Sequence, residues 1–149
     1  MWYISGMKKI AVINGPNLNL LGLRETEIYG IESFDSFHEI IRDTFSEIEF
    51  QFYQSNVEGE LINFLHQAPQ EGVEGVVINP GGYSHTSVAL ADAISAVGLP
   101  TVEVHISNLF AREPYRHTSL TGAKCIGSIS GFGLKGYILA VRGLLTLHK

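Results

Sequence analysis

The sequence predicts an α/β fold: a doubly wound sheet of five parallel strands in the spatial order 2-1-3-4-5, with helices on both faces. Three observations carry this. Short apolar runs alternate five times with stretches whose apolar residues recur every three or four positions. The first and third runs stop at Gly15-Pro16 and Pro80-Gly81-Gly82, residues that end a strand and turn the chain. Five strand–helix units also fit the 149 residues available, and short apolar strands separated by amphipathic helices imply parallel pairing with both faces covered.

Taken in order, Lys9-Ile10-Ala11-Val12-Ile13-Asn14 is the first strand. Phe34, Phe37, Ile41, Phe45 and Ile48 then form a helical stripe, with Ser33 and Asp35 as candidate caps. Phe50 to Tyr53 alternates as a strand does. Ser55-Asn56-Val57-Glu58 has the Ser-x-x-Glu form of a capping box, opening a helix with Leu61, Phe64 and Leu65. Val76 to Asn79 is the third strand. The next helix runs from Thr86 to the stop signal Gly98-Leu99-Pro100. Thr101 to His105 is strand four, Ser107 to Thr118 a polar segment with room for one helical turn, and Ala123 to Ser130 strand five. Leu134, Ile138, Val141 and Leu145 mark the last helix. The whole is one domain over residues 1–149. Residues 1–6 read as an extension or upstream start, because Met7-Lys8-Lys9 is the more natural beginning.

Composition narrows the function. Lys and Arg total 10 against 15 Asp and Glu, a net charge of −5. That excludes nucleic acid or an anionic membrane surface as the main partner, since both demand a positive field. A single cysteine, Cys125, leaves no internal disulfide and no Cys-based zinc site. No apolar run is long enough for a membrane span, and the first residues lack the form of a signal peptide. The expectation is a soluble cytoplasmic protein. Charged residues make up 17% of the chain, below the usual ~25%, so its polar surface is thin for a monomer and an oligomer is expected.

In this architecture ligands sit beyond the carboxyl ends of the strands, near the switch between strands 1 and 3. There the sequence places Asn14, Asn17, Asn19, Arg24 and Tyr29 after strand 1. Asn79, Tyr83, Ser84 and His85 follow strand 3, and His105, Ser107, Asn108, Arg112 and Arg116 follow strand 4. Rival motifs fail on their context. Gly131-Phe132-Gly133-Leu134-Lys135-Gly136 matches G-x-G-x-x-G, yet only 13 residues follow it and none is an acidic ribose ligand. It reads as a tight turn bringing helix and strand together. A phospho-receiver would need an Asp where Asn79 ends strand 3. There is no G-x-S-x-G elbow and no metal-ligand spacing among His85, His105 and His117. No lysine reaches the rim for Schiff-base chemistry, and no cofactor is expected.

What remains is a tyrosine, histidines, arginines and amides. Arginine forks suit a carboxylate ligand. A tyrosine with a pKa of ~10 is a poor base at neutral pH, but neighbouring Arg24 favours the phenolate of Tyr29, while His105 supplies a proton elsewhere. A base and an acid flanking a carboxylate-bearing substrate describe a lyase.

Ile13-Asn14-Gly15-Pro16-Asn17-Leu18-Asn19-Leu20-Leu21-Gly22, with Arg24-Glu25 and Tyr29-Gly30, closely resembles the opening motif of the type II 3-dehydroquinate dehydratases. Ile78 to Ser87, Glu103 to Asn108, and Arg112-Glu113 with Arg116-His117 resemble that family's later signatures, so the likeness spans residues 8 to 147. The stretch Thr121 to Cys125 is less apolar than a fifth strand should be, a departure with no bearing expected on the chemistry.

The resemblance implies a flavodoxin-like fold and the dehydration of 3-dehydroquinate to 3-dehydroshikimate through an enolate, chemistry that serves the shikimate or the quinate pathway. It implies Tyr29 as the base, Arg24 as the group that keeps it ionised, and Asn17 as part of the network steadying the enolate oxygen. His105 would be the acid that protonates the departing hydroxyl, with Glu103 orienting it. Asn79, His85, Ile106 through its backbone, Ser107, Arg112 and Arg116 would bind the substrate. Asp92 would reach a neighbouring subunit's site, in a dodecamer built from trimers.

Overall fold

The computed structural model describes residues 6–20 and 34–147. It contains five parallel strands, β1 (Lys9–Asn14), β2 (Glu49–Gln54), β3 (Gly75–Asn79), β4 (Thr101–His105) and β5 (Gly127–Ser130). Their order is β2-β1-β3-β4-β5, the flavodoxin-like arrangement the sequence predicts. Four helices are described: α1 (Phe34–Thr44), α2 (Glu58–Gln67), α3 (Val88–Val97) and α4 (Lys135–Leu147).

Strand alternation sorts the core into two layers, because successive side chains leave opposite faces of the sheet. Ile10, Val12, Val77, Val102 and Val104 point to one face, where they bury Phe37 and Ile41 of α1 and Tyr137, Val141 and Leu144 of α4. Ala11, Ile13, Val76 and Ile78 point to the other face, against Leu61 and Leu65 of α2 and Leu90 and Ile94 of α3. The two helix pairs therefore cover both faces.

Local structure departs from the sequence reading in three places. Ser55 does not cap α2 through a box with Glu58. Its Oγ accepts from Val57 N at 2.9 Å and donates to Glu60 Oε1 at 2.9 Å, so the helix starts two residues later, and the serine makes a turn ahead of it. The segment after β3 first makes a 3-10 turn over Gly81–His85. α3 starts only at Val88, capped by Ser87 Oγ accepting from Leu90 N. The fifth strand begins at Gly127 rather than Ala123, because Gly122–Lys124 forms another 3-10 turn. Of the two expected caps of α1, Ser33 lies outside the described residues.

The glycine motif is the tight turn expected. Gly131 N–H donates to His105 O and Gly133 N–H to Ile106 O, so these donors are used within the fold. A Cβ on Gly136 would lie 3.0 Å from Val104 Cγ2, which is the close helix–strand approach that requires glycine.

β1 and β3 both end in asparagine, and Asn14 and Asn79 are register partners. Tyr137 of α4, fully buried, joins them. Its Oη donates to Asn14 Oδ1 at 2.5 Å and accepts from Asn79 Nδ2 at 3.0 Å. Burial pushes this phenol well above its ordinary value, so it stays neutral and can both donate and accept. Tyr137→Phe would take the hydroxyl from Asn14 Oδ1 and Asn79 Nδ2, both in buried residues, an expected loss of roughly 1–3 kcal/mol. Urea unfolding should register it as a lower midpoint with an unchanged slope. An unaltered midpoint would show that solvent satisfies both amides.

Candidate active site

A cleft of about 210 Å³ opens beyond the carboxyl ends of β1, β3 and β4, where the switch in strand order leaves a gap between connections. Asn17 and its neighbours line one side, Asn79, Gly81, Gly82 and His85 the back, and His105, Ile106, Ser107, Arg112 and Arg116 the other side.

Its chemical centre is a pair on one strand. Glu103 and His105 are two residues apart in β4 and so project to the same face. His105 Nε2 lies 3.0 Å from Glu103 Oε2, and Glu103 is fully buried. Ser119 Oγ donates to Oε2 at 2.6 Å, and Thr121 Oγ1 donates to Oε1. Burial by itself drives this carboxyl up. The hydrogen bond and charge of His105, with the two hydroxyls, outweigh it and hold Glu103 below the ordinary 4.5. An ionised Glu103 can only accept, so His105 carries its proton on Nε2. That leaves Nδ1 as the ring nitrogen not engaged by the carboxylate.

Two arginines supply the positive side of the cleft. Glu113 receives Arg116 Nε at 2.7 Å and lies 3.8 Å from Arg112 Nε. Arg112 Nη1 also donates to Ser107 Oγ at 3.2 Å. Glu113 thus hydrogen-bonds Arg116 and pairs more loosely with Arg112, and both guanidinium groups keep further N–H donors for an anionic ligand. His85 stacks 6.2 Å from His105, ring centre to ring centre. Its Nδ1–H donates to Thr118 O at 2.8 Å, since a carbonyl can only accept.

Asn17 sits in the left-handed region at φ 72°, a conformation that asparagine tolerates better than most residues. Its N–H donates to Asn56 Oδ1 at 2.9 Å, which anchors the turn to the end of β2. Asp92 is exposed on α3 and is not among the residues lining the cleft. Tyr29 and Arg24 lie outside the described residues.

A family model, Dehydroquinase class II, matches residues 8–145. The chain belongs to the class II dehydroquinase family. It is 56% identical over 145 residues to a 3-dehydroquinate dehydratase of Fusobacterium nucleatum subsp. nucleatum, covering 95% of this chain and 99% of that one. It is 53% identical over 140 residues to one of Caldicellulosiruptor saccharolyticus, covering 93% and 97%. The crystal structure of the type II dehydroquinase from Butyrivibrio crossotus superposes with a TM-score of 0.88 at 48% identity, over 93% of this chain and 97% of that chain.

For this class II dehydroquinase, sequence reasoning missed three residues of the site. Ser119 and Thr121 hold Glu103, and Asn56 holds the backbone of Asn17. The only signal was the polar stretch Thr121 to Cys125 ahead of the supposed fifth strand, and it covered Thr121 but not Ser119. It marks a buried contact to a carboxylate rather than a poor strand, so the departure does bear on the site.

The depressed pKa of Glu103 has a measurable consequence. A carboxyl held below its unfolded value contributes stability that is present above about 4.5 and lost as the pH falls through the folded value. Urea midpoints of the wild type should therefore decline below that pH, and those of Glu103→Gln should decline less steeply. Parallel curves would mean that Glu103 gains nothing from ionising in the fold.

Proposed function

We propose that this chain catalyses the dehydration of 3-dehydroquinate to 3-dehydroshikimate. The observation that carries the reading is the buried Glu103–His105 pair facing two arginines in one cleft, in a chain matched along residues 8–145 by the class II dehydroquinase model. Arg112 and Arg116 suit the substrate carboxylate, with Ser107, Asn79, His85 and the Ile106 backbone meeting ring hydroxyls.

Tyr29, as phenolate, removes the proton beside the ketone and leaves an enolate. Arg24 stabilises the phenolate through its opposite charge. Asn17 helps steady the enolate oxygen where negative charge develops. His105, protonated and backed by Glu103, gives its Nδ1 proton to the departing hydroxyl, and one water leaves. The cycle closes when the proton on Tyr29 and the vacancy on His105 are exchanged through solvent. None of the described lysines lines the cleft, in keeping with a route that needs no imine. In the same reading the subunits form a dodecamer of trimers in the cytoplasm, with the exposed Asp92 completing a neighbour's site.

Purified protein with 3-dehydroquinate should show rising ultraviolet absorbance from the conjugated enone, without added metal or nucleotide. Borohydride with substrate should leave the activity intact. Tyr29→Phe should bind substrate while turnover falls by about 10²–10⁴. Arg24→Ala should slow turnover and move the acidic limb of the pH–rate profile upward, because the phenolate loses its cation. Folded protein that leaves the absorbance flat sinks the assignment. A Tyr29→Phe enzyme near full speed places the base elsewhere.

Assembly is checked separately by light scattering, which should return a mass many times the 16.4 kDa chain. A fully active monomer would contradict the trans role of Asp92.

A further inference from the structure

Besides His105, Glu103 is held by two hydroxyls with no assigned role in the chemistry above, one on the oxygen that His105 bonds and one on the other oxygen. Ser119 Oγ lies 2.6 Å from Oε2, and Thr121 Oγ1 bonds Oε1. Ser119 Oγ accepts from Gly122 N–H at 2.8 Å and sends its own hydrogen to Glu103, since an ionised carboxylate can only accept. Thr121 is fully buried, so its hydroxyl has no water to turn to. A Cβ on Gly122 would stand 3.0 Å from both Glu103 Oε2 and Ser119 Oγ, so the chain closes tightly around this group. The 3-10 turn at Gly122–Lys124, where a strand was expected, is what brings the two hydroxyls there.

We propose that Ser119 and Thr121 are positioning residues for the reaction: they fix the orientation of Glu103 and share its charge, and so set how firmly His105 holds the proton destined for the leaving hydroxyl. The proposal rests on the dehydratase reading above. With both hydroxyls in place, the carboxylate's charge is divided among three donors. Without one of them, more of it falls on His105, and the protonated imidazole is favoured. Glu103 itself, short of a donor, then ionises less readily. Both effects push the pH profile in the same direction, upward.

The other ionisable groups around the pair stay as they are. His85 stacks on His105 from the turn after β3, and Arg112 and Arg116 face it from the segment after β4. Cys125, half-buried, has its thiol pushed up to about 12 by burial and by Glu103, so it is uncharged at working pH. β3 and β5 contribute no ionisable side chain. Tyr137 of α4 is committed to Asn14 and Asn79. Asp92, Lys124 and Lys135 are exposed.

The test compares Thr121→Val, which keeps the shape and removes the hydroxyl, with Thr121→Ser, which keeps the hydroxyl. Two readouts are taken: the pH dependence of kcat on 3-dehydroquinate, and the titration of the His105 ring by NMR without substrate. Thr121→Val should lower kcat roughly tenfold with little change in KM. It should raise the basic limb and the His105 midpoint by up to about one unit. Thr121→Ser should return both to their wild-type positions. Ser119→Ala, at a less buried site, should shift both in the same direction and serves if the valine variant does not fold. A fall in kcat with unmoved limbs and an unmoved His105 midpoint overturns the proposal and leaves the hydroxyls as packing. Inactivity of the wild type on 3-dehydroquinate would instead overturn the dehydratase reading, and the NMR midpoint still decides the positioning role.

Discussion

A phenol from the last helix holds the ends of the two central strands together. Asn14 and Asn79 finish β1 and β3 in register, and Tyr137 Oη bonds both. Strands 1 and 3 are separated in sequence by a strand and two helices, and their backbones pair as far as Asn14 and Asn79, where Gly15 N–H donates to Asn79 O; the phenol adds a side-chain tie at the end of that ladder. The amides cannot be left buried and unpaired without loss of stability. Only a group that both donates and accepts satisfies this amide pair as oriented. The floor of the cleft is therefore set by a residue far from the signature motifs.

From that floor the cleft is built by alternation and by loops. β4 sends valines into one core layer and Glu103 and His105 to the opposite face. A carboxylate buried on that face needs several donors to stay ionised. Ser119, Thr121 and His105 supply them. The connection from β4 to β5 makes three short 3-10 turns instead of one long helix. The turns leave room above His105 for a ligand and bring Arg112 and Arg116 to the rim, tied by Glu113. The same connection thus supplies cations to the cleft and hydroxyls to the buried acid beneath it.

Much of this was legible in the chain. Apolar periodicity located the first four strands but started the fifth four residues early, and the Gly-Pro stops located the two turns at the switch point. The convergence of Asn17, Asn79, His85, His105, Ser107, Arg112 and Arg116 followed from those strands, because the carboxyl ends of a doubly wound sheet share one rim. Short-range signals served less well. Ser55 bonds Glu60 rather than forming a box with Glu58, since a hydroxyl has several acceptors within reach and the sequence pattern fits more than one. Ser119 went unremarked and Thr121 looked like part of a poor fifth strand, because their partner Glu103 is 16 and 18 residues away.

Although Asn14, Asn19, Tyr83, Ser84 and Asn108, read as rim residues, do not line the cleft, the sequence by itself determined the class of fold, the strand order and seven of the polar residues that do. Each of these follows from local patterning and from the small number of ways parallel strands can be connected. Only the tertiary structure decided which polar groups bond to which. It chose Tyr137 as the tie between β1 and β3, Asn56 as the anchor of Asn17, and two hydroxyls as the support of Glu103. The physical reason is that a hydrogen bond needs its partners within about 3 Å and nearly in line, and sequence distance carries no information on which donor the folded chain will bring that close.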